Sequence, residues 1–168
     1  MESRAKLFGH PIHPVLIVFP LGLLATSLIF DAVYLITKNP NWSMISYWMI
    51  AAGVIGGLIA APFGTIDWLA IPQGTRAKSI GLVHGVGNVI VILLFGLGFW
   101  YRRGLSGHEP DAIALGLSIA GFGLAGVTGW LGGELSYRLG IGVDPGANVD
   151  APNSLSGRLA SETSKTGN

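Results

Sequence analysis

The chain has 168 residues, of which 50% are hydrophobic and 11% charged, with a mean hydropathy of +0.57 and a net charge of +1. Soluble domains carry about 25% charged residues, so this deficit points to lipid as the solvent, and the near-neutral balance leaves no basic footprint for nucleic acid. Cysteine is absent, which excludes disulfides, thiolate-ligated metal or haem, and a covalent CxxCH haem site.

The chain opens on MESRAKLF and then GHPIHP, with His10 and His13 three residues apart at the edge of a long apolar run. The two histidines share a face if the segment is helical. Pro11 and Pro14 suit a first helical turn, where a missing N–H costs nothing. The run that follows has no small-residue cleavage site and is too long for a signal peptide, so no cleaved leader is expected.

Four apolar stretches follow, at 15–36, 44–66, 80–101 and 112–133. Each is about 22 residues long, and a helix needs about 20 to cross the hydrocarbon. Within lipid a single segment satisfies its own backbone as a helix. The expected fold is all-α: a four-helix transmembrane bundle over 1–143, up-down-up-down because the connections at 37–43, 67–79 and 102–111 are short. Residues 144–168 are polar and rich in Gly, Ser and Asn, and are expected to be a disordered tail. No internal repeat is evident.

Pro20 and Pro62 fall inside the first and second stretches and predict kinks. Asp31, late in the first, is a partner for Lys38 or Arg102. Asp67 closes the second helix and either caps locally or pairs with Arg76. His84 lies about one turn into the third, with Asn88 on the same face four residues on. His108, in the loop GLSGHEPD, reads as a solvated loop residue. Glu134 follows the fourth helix, positioned for Arg138 four residues later and on one face with Tyr137 if the helix continues.

Arg4, Lys6, Arg76, Lys78, Arg138, Arg158 and Lys165 fall on one side of this topology, and Lys38, Arg102 and Arg103 on the other. The excess predicts that both termini are cytoplasmic. Trp42, Trp48, Trp68, Trp100 and Trp130 lie near helix ends, as an aromatic belt would. Gly53, Gly56, Gly57, Ala60 and Ala61, then Gly81, Gly85 and Gly87, then Gly121, Gly123, Gly126 and Gly129, read as close-packing faces between helices.

This topology gathers His10, His13, Asp67, His84 and Glu134 at the cytoplasmic rim. Ionisable groups within a membrane are costly and mark function by default. Three readings follow. The first is an electron-transfer protein or subunit holding haem b, with His13 and His84 as axial ligands, His10 as substitute and Asn88 behind them. The second is a metal-dependent hydrolase or oxidase, with zinc or iron on His10, His13, His84, Asp67 and Glu134, where a spare carboxylate is the general base. The third is a non-catalytic accessory subunit whose polar cluster is a hydrogen-bond network. Transport is a poorer fit for four helices without an inverted repeat. Expected partners are the lipid bilayer, a redox protein or larger membrane complex, and a second copy of the chain; nucleic acid is not expected.

The elements GHPIHPVLIVFPLGL, GTIDWLAIP, VHGVGNVI and GWLGGELSYRLGIGV occur in that order. Over about residues 7–143 the chain resembles a bacterial transmembrane family of unknown function, described as four-helix inner-membrane proteins. GHPIHP is the most specific element. Members of this family are sometimes fused to Rieske iron–sulfur domains, which implies a redox setting. The resemblance carries no catalytic residues to transfer, and a chain without cysteine has no such domain of its own.

Overall fold

A computed structural model describes residues 1–163. The N-terminal segment forms a minimal hairpin, β1 (Lys6–Leu7) against β2 (His10–Pro11), in antiparallel register Lys6 to Pro11 and Leu7 to His10. Phe8 and Gly9 turn it with positive φ. The helices are α1 (Ile12–Leu16), α2 (Val18–Thr37), α3 (Pro40–Ala70), α4 (Arg76–Arg102) and α5 (Ala112–Gly133). Four helical rods are long and apolar enough to cross a membrane, α1 and α2 together making the first.

Pro20 explains the break between α1 and α2. It has no N–H to offer the Leu16 carbonyl, so the ladder lapses at Ile17 and resumes when Leu21 N–H bonds the Ile17 carbonyl at 3.1 Å. Pro62 lies inside α3, which continues through it. α3 and α4 start earlier than apolarity alone suggests because polar caps extend them, while α5 starts at Ala112 as expected. Asn39 accepts from Asn41 N–H with Pro40 at the first helical position, and Thr75 accepts from Lys78 N–H. Asp111 accepts from both Ile113 and Ala114 N–H at the start of α5. Only Lys38 and Asn39 separate α2 from α3.

Packing is strongest within two hairpins, α2 with α3 and α4 with α5, and α3 against α4 joins them, with a lighter contact between α2 and α5. Along each hairpin the contacts run in opposite order: His13, Pro20 and Leu24 lie over Gly64, Gly56 and Gly53, and His84, Phe95 and Leu117 meet Gly132, Gly121 and Gly98. Leu24, Ile50, Val91 and Phe95 form the buried apolar centre. Gly53, Gly57, Gly81, Gly87 and Gly121 allow close approach, since an added Cβ there would strike a neighbouring side chain. Gly85, Gly123, Gly126 and Gly129 do not pack: nothing lies within 4 Å of a Cβ there.

The distribution of polarity is the reverse of a soluble domain. Ser27, Asp31, Ser43, Ser46, Arg102, Ser118 and Thr128 are buried, while Phe19, Ile29, Ile55, Leu93 and Val127 face outward. Trp48, Trp100 and Trp130 also project outward, at positions an interfacial belt uses. Such a surface matches hydrocarbon and needs no further burial.

Beyond α5 the chain makes a π turn over Glu134–Arg138, so Glu134 and Tyr137 do not share a face as a continuing helix would require. Tyr137 is almost fully exposed, while Glu134 points inward. The polar segment from 144, expected to lack order, carries a 3-10 turn at Ser154–Ser156 and lies against the N-terminal hairpin. Asp144 binds the Lys6 ammonium, and Gly9 sits on Ser154. Residues 164–168 of that tail, with Lys165, lie outside the described residues.

Candidate functional site

Two of the three rim histidines meet. The ring centres of His13 and His84 are 6.4 Å apart and their planes nearly perpendicular, at 84°. His13 stands in the first turn of α1, placed there by Pro11, whose fixed φ precedes the helix. His84 stands more than two turns into α4, deeper than the expected start at 80 implied.

Each ring is fixed in the same way. His13 Nδ1 is 3.0 Å from the Ala60 carbonyl oxygen of α3, and His84 Nδ1 is 2.8 Å from the Thr128 carbonyl oxygen of α5. A carbonyl accepts, so both rings donate through Nδ1–H and carry their lone pair on Nε2. Each ring also lies on a glycine one turn beyond its carbonyl. A Cβ on Gly64 would come within 2.8 Å of the His13 ring, and one on Gly132 within 3.1 Å of the His84 ring. Glycine at these two positions makes room for the imidazoles.

The second nitrogens differ. Asn88 Nδ2 lies 3.1 Å from His84 Nε2 and donates to it, and Thr128 Oγ1 donates to Asn88 Oδ1 at 2.9 Å. Asn88 therefore contacts the site, by bonding one of its imidazoles and a neighbouring helix together.

The other sequence candidates are engaged elsewhere. His10 is exposed on β2, and its Nε2 is 3.4 Å from Ser154 Oγ; it does not share a helical face with His13, because the chain is a strand at one and a helix at the other. Asp67 binds the N-terminal segment, accepting from Ser3 Oγ at 2.8 and 2.7 Å, from Arg4 N–H at 2.7 Å and from Ala5 N–H at 3.2 Å. Glu134 accepts from Arg76 at 2.6 Å, not from Arg138. Among the described residues no three His, Asp or Glu side chains gather closely enough to hold one metal ion, so the five-residue ligand set His10, His13, Asp67, His84 and Glu134 is not assembled.

The N-terminal segment forms part of the same rim. Met1 pairs with the chain after α5, donating to Gly140 and accepting from Gly142. Lys6 is held by Asp144 and Glu2, and the hydrogen bond it donates to Asp144 first of all raises its pKa above the usual 10.5. Lys78 donates to the carbonyl of Trp68 at 2.8 Å and lies over its indole ring at 4.1 Å, closing the end of α3 with a cation.

A second polar cluster occupies the opposite end. Arg102 meets Asp31 through both Nη atoms and also donates to Ser46 Oγ, the Ser43 carbonyl and the His108 carbonyl. His108 is not a solvated loop residue: it stacks on Tyr47 with ring centres 4.0 Å apart, and its Nδ1 donates to the Arg102 carbonyl at 2.9 Å.

Sequence reasoning missed Thr128, Gly64 and Gly132. A threonine and two glycines in a glycine-rich membrane helix carry no local signal. What marks them is position, since Gly64 and Gly132 each stand four residues after the carbonyl that a histidine binds.

Residues 9–145 match the model of a family described as predicted membrane protein, DUF2231. No curated protein and no solved structure matches the chain.

Proposed function

The chain belongs to the DUF2231 family of predicted membrane proteins, and from that premise we propose that it is an electron-transfer protein or subunit binding haem b through His13 and His84. The observation that carries this reading is the shared fixing of the two rings. Metal-ligating histidines commonly donate their other N–H to a backbone carbonyl, which sets tautomer and orientation. Both rings do so here, leaving two Nε2 lone pairs on facing helices. The ring centres lie 6.4 Å apart, close enough that, with metal–nitrogen bonds of about 2 Å, both imidazoles would reach one metal centre. Histidines on facing helices of a bundle would hold such a group.

When bound, haem supplies one-electron chemistry; the chain orients it and excludes water. Gly64 and Gly132 seat the two imidazoles, and Arg4 and Arg138 are cations at the same rim for propionates, Arg76 being held by Glu134. The excess of Lys and Arg at that end supports a cytoplasmic rim in a bacterial inner membrane. A redox protein or a larger membrane complex would then exchange electrons there, and a second copy of the chain is a further partner. Bare zinc or iron is the alternative occupant. The hydrolase or oxidase form of that alternative has less support, because Asp67 and Glu134 already hold Ser3 and Arg76.

The deciding measurement is a reduced-minus-oxidised absorbance spectrum of full-length protein purified from haem-replete cells. A Soret band lost in both His13→Ala and His84→Ala is expected. A colourless wild type would overturn the reading. One observation favours a second reading, an accessory subunit without its own cofactor: Asn88 already occupies His84 Nε2. Under that reading both alanine variants leave the composition and activity of the host complex unchanged.

A further inference from the structure

The two hairpins repeat one another position by position. Asp31 and Arg102, which pair, are 71 residues apart, and so are His13 and His84, which face each other. The buried residues of α2 include Pro20, Leu24, Ser27 and Asp31; those of α4 include Val91, Phe95, Gly98 and Arg102 at the same spacings. In α3 the buried residues include Ser46, Ile50, Gly53 and Ala60, and in α5 they are Ala114, Ser118, Gly121 and Thr128, again at the same spacings. Partners correspond as well: Leu24 covers Gly53 as Phe95 covers Gly121, and His13 lies on Gly64 as His84 lies on Gly132. No repeat is evident in the sequence because most paired positions differ in residue type. The repetition lives in burial and contact.

On this alignment the rod of α1 and α2 is equivalent to α4, and the two meet at both ends of the bundle, through His13 and His84 and through Asp31 and Arg102. The histidine site is then built of two equivalent halves, with one departure. Asn88 and Thr128 of the second half correspond to Ile17 and Ala60 of the first. A hydrogen-bonded pair stands where the first half has two apolar side chains. Its effect is to put a donor on His84 Nε2, while among the described residues none lies on His13 Nε2.

We propose that His13 and His84 form a two-fold site in which one metal centre joins Nε2 of one half to Nε2 of the other, and that Asn88, held by Thr128, is a positioning residue that occupies the second Nε2 until the centre binds. The proposal rests on the haem reading for the identity of that centre, and on the repeat for its geometry. The ligand class is an imidazole-seeking transition-metal centre that accepts two nitrogens, as haem iron or a single Cu²⁺ ion does. His13 is the first point of attachment, since among the described residues its Nε2 has no donor to displace. Asn88→Ile and Thr128→Ala convert the second half to the residues of the first, a combination that the first half itself accommodates.

The test titrates full-length protein in detergent with ferric protoporphyrin IX and, separately, with Cu²⁺. The visible spectrum reads the haem spin state, and electron paramagnetic resonance counts the nitrogens on copper. The expected result is a low-spin two-nitrogen centre that becomes high-spin or one-nitrogen in His13→Ala and His84→Ala alike. Asn88→Ile and Asn88→Ile/Thr128→Ala are expected to bind roughly fivefold more tightly, the effect of relieving one neutral hydrogen bond. Unchanged or weaker binding in the Asn88 variants, with both histidines still required, would overturn the role of Asn88 while the haem reading stands. Copper bound in the expected pattern without any haem binding would keep the two-fold site and remove the haem reading. If neither probe requires both histidines, the two-fold site is wrong.

Discussion

Asp31 receives both Nη nitrogens of Arg102, at 2.9 and 3.0 Å, with the two side chains sealed from solvent. An ionisable pair inside a membrane helix is a functional candidate by default, but this one has every donor assigned. Ser46 Oγ, the Ser43 carbonyl and the His108 carbonyl take what Asp31 leaves. The pair ties α2, α3, α4 and the turn before α5 together, at the end of the bundle opposite the histidines.

Breaking that pair on one side strands a buried charge. Arg102→Ala and Asp31→Ala are each expected to destabilise the protein by about 3–5 kcal/mol, read as a large fall in midpoint when tryptophan fluorescence follows unfolding in detergent. Asp31→Leu/Arg102→Met removes both charges together and should fall less. A double variant as damaged as either single would show that the charges are not what holds this end.

The glycines under the histidine rings make a graded prediction. An alanine methyl at 64 would lie 2.8 Å from His13 Cε1, and one at 132 would lie 3.1 Å from His84 Cε1. Both displace an imidazole from its carbonyl, and Gly64→Ala does so further. Binding of ferric protoporphyrin IX should weaken in both, more at 64, while helicity by circular dichroism stays near wild type. Equal binding in both variants and wild type would mean that ring position does not matter.

Lys6 reports on the strap over the rim. Its ammonium is held above the ordinary lysine range chiefly by the hydrogen bond to Asp144. The sign follows from linkage: a raised folded pKa contributes fully below the unfolded value and is lost as pH rises through the folded one. Contacts between the N-terminal segment and residue 144 should therefore hold at neutral pH and loosen in alkali, above 10.5. Hydrogen exchange of segment 1–11 against pH measures this, and Asp144→Asn should move the loosening to lower pH. No dependence on either would discard the link.

The helices were legible because lipid imposes them: twenty-odd apolar residues have one way to satisfy their backbone. Cap chemistry then moved the ends, as Asn39–Pro40 and Thr75 show. The meeting of His13 and His84 was legible as a shared depth and side. What stayed hidden was the competition for each polar group. Asp67 and Glu134 look free in sequence, and become partners of Ser3 and Arg76 once residues 1–11 fold back and α4 begins at 76. Likewise the π turn at Glu134–Arg138 turns Tyr137 away from the face that an α-helix would have given it. Spacing rules assume an unbroken helix, and they fail where the helix changes pitch.

Asp67 is the anchor of that folded-back segment. One carboxylate takes the Ser3 hydroxyl and two successive backbone N–H groups, from Arg4 and Ala5. Behind it, Ile12 N–H bonds the Ala5 carbonyl at 2.9 Å, so the position of Ala5 is tied to the turn that carries His13. Asp67→Ala leaves two amides without their acceptor, each worth about 1–3 kcal/mol where buried, and leaves the Ser3 hydroxyl only the Ala5 carbonyl at 3.1 Å. The segment should detach locally: residues 1–11 lose hydrogen-exchange protection and become accessible to protease, while α3 and α5 keep theirs. Asp67→Asn retains one acceptor oxygen and should keep part of the protection. Since the strap and His13 share Ala5, loosening should also broaden the His13 imidazole resonance and leave that of His84 sharp. Both resonances unchanged would separate the strap from the histidine pair.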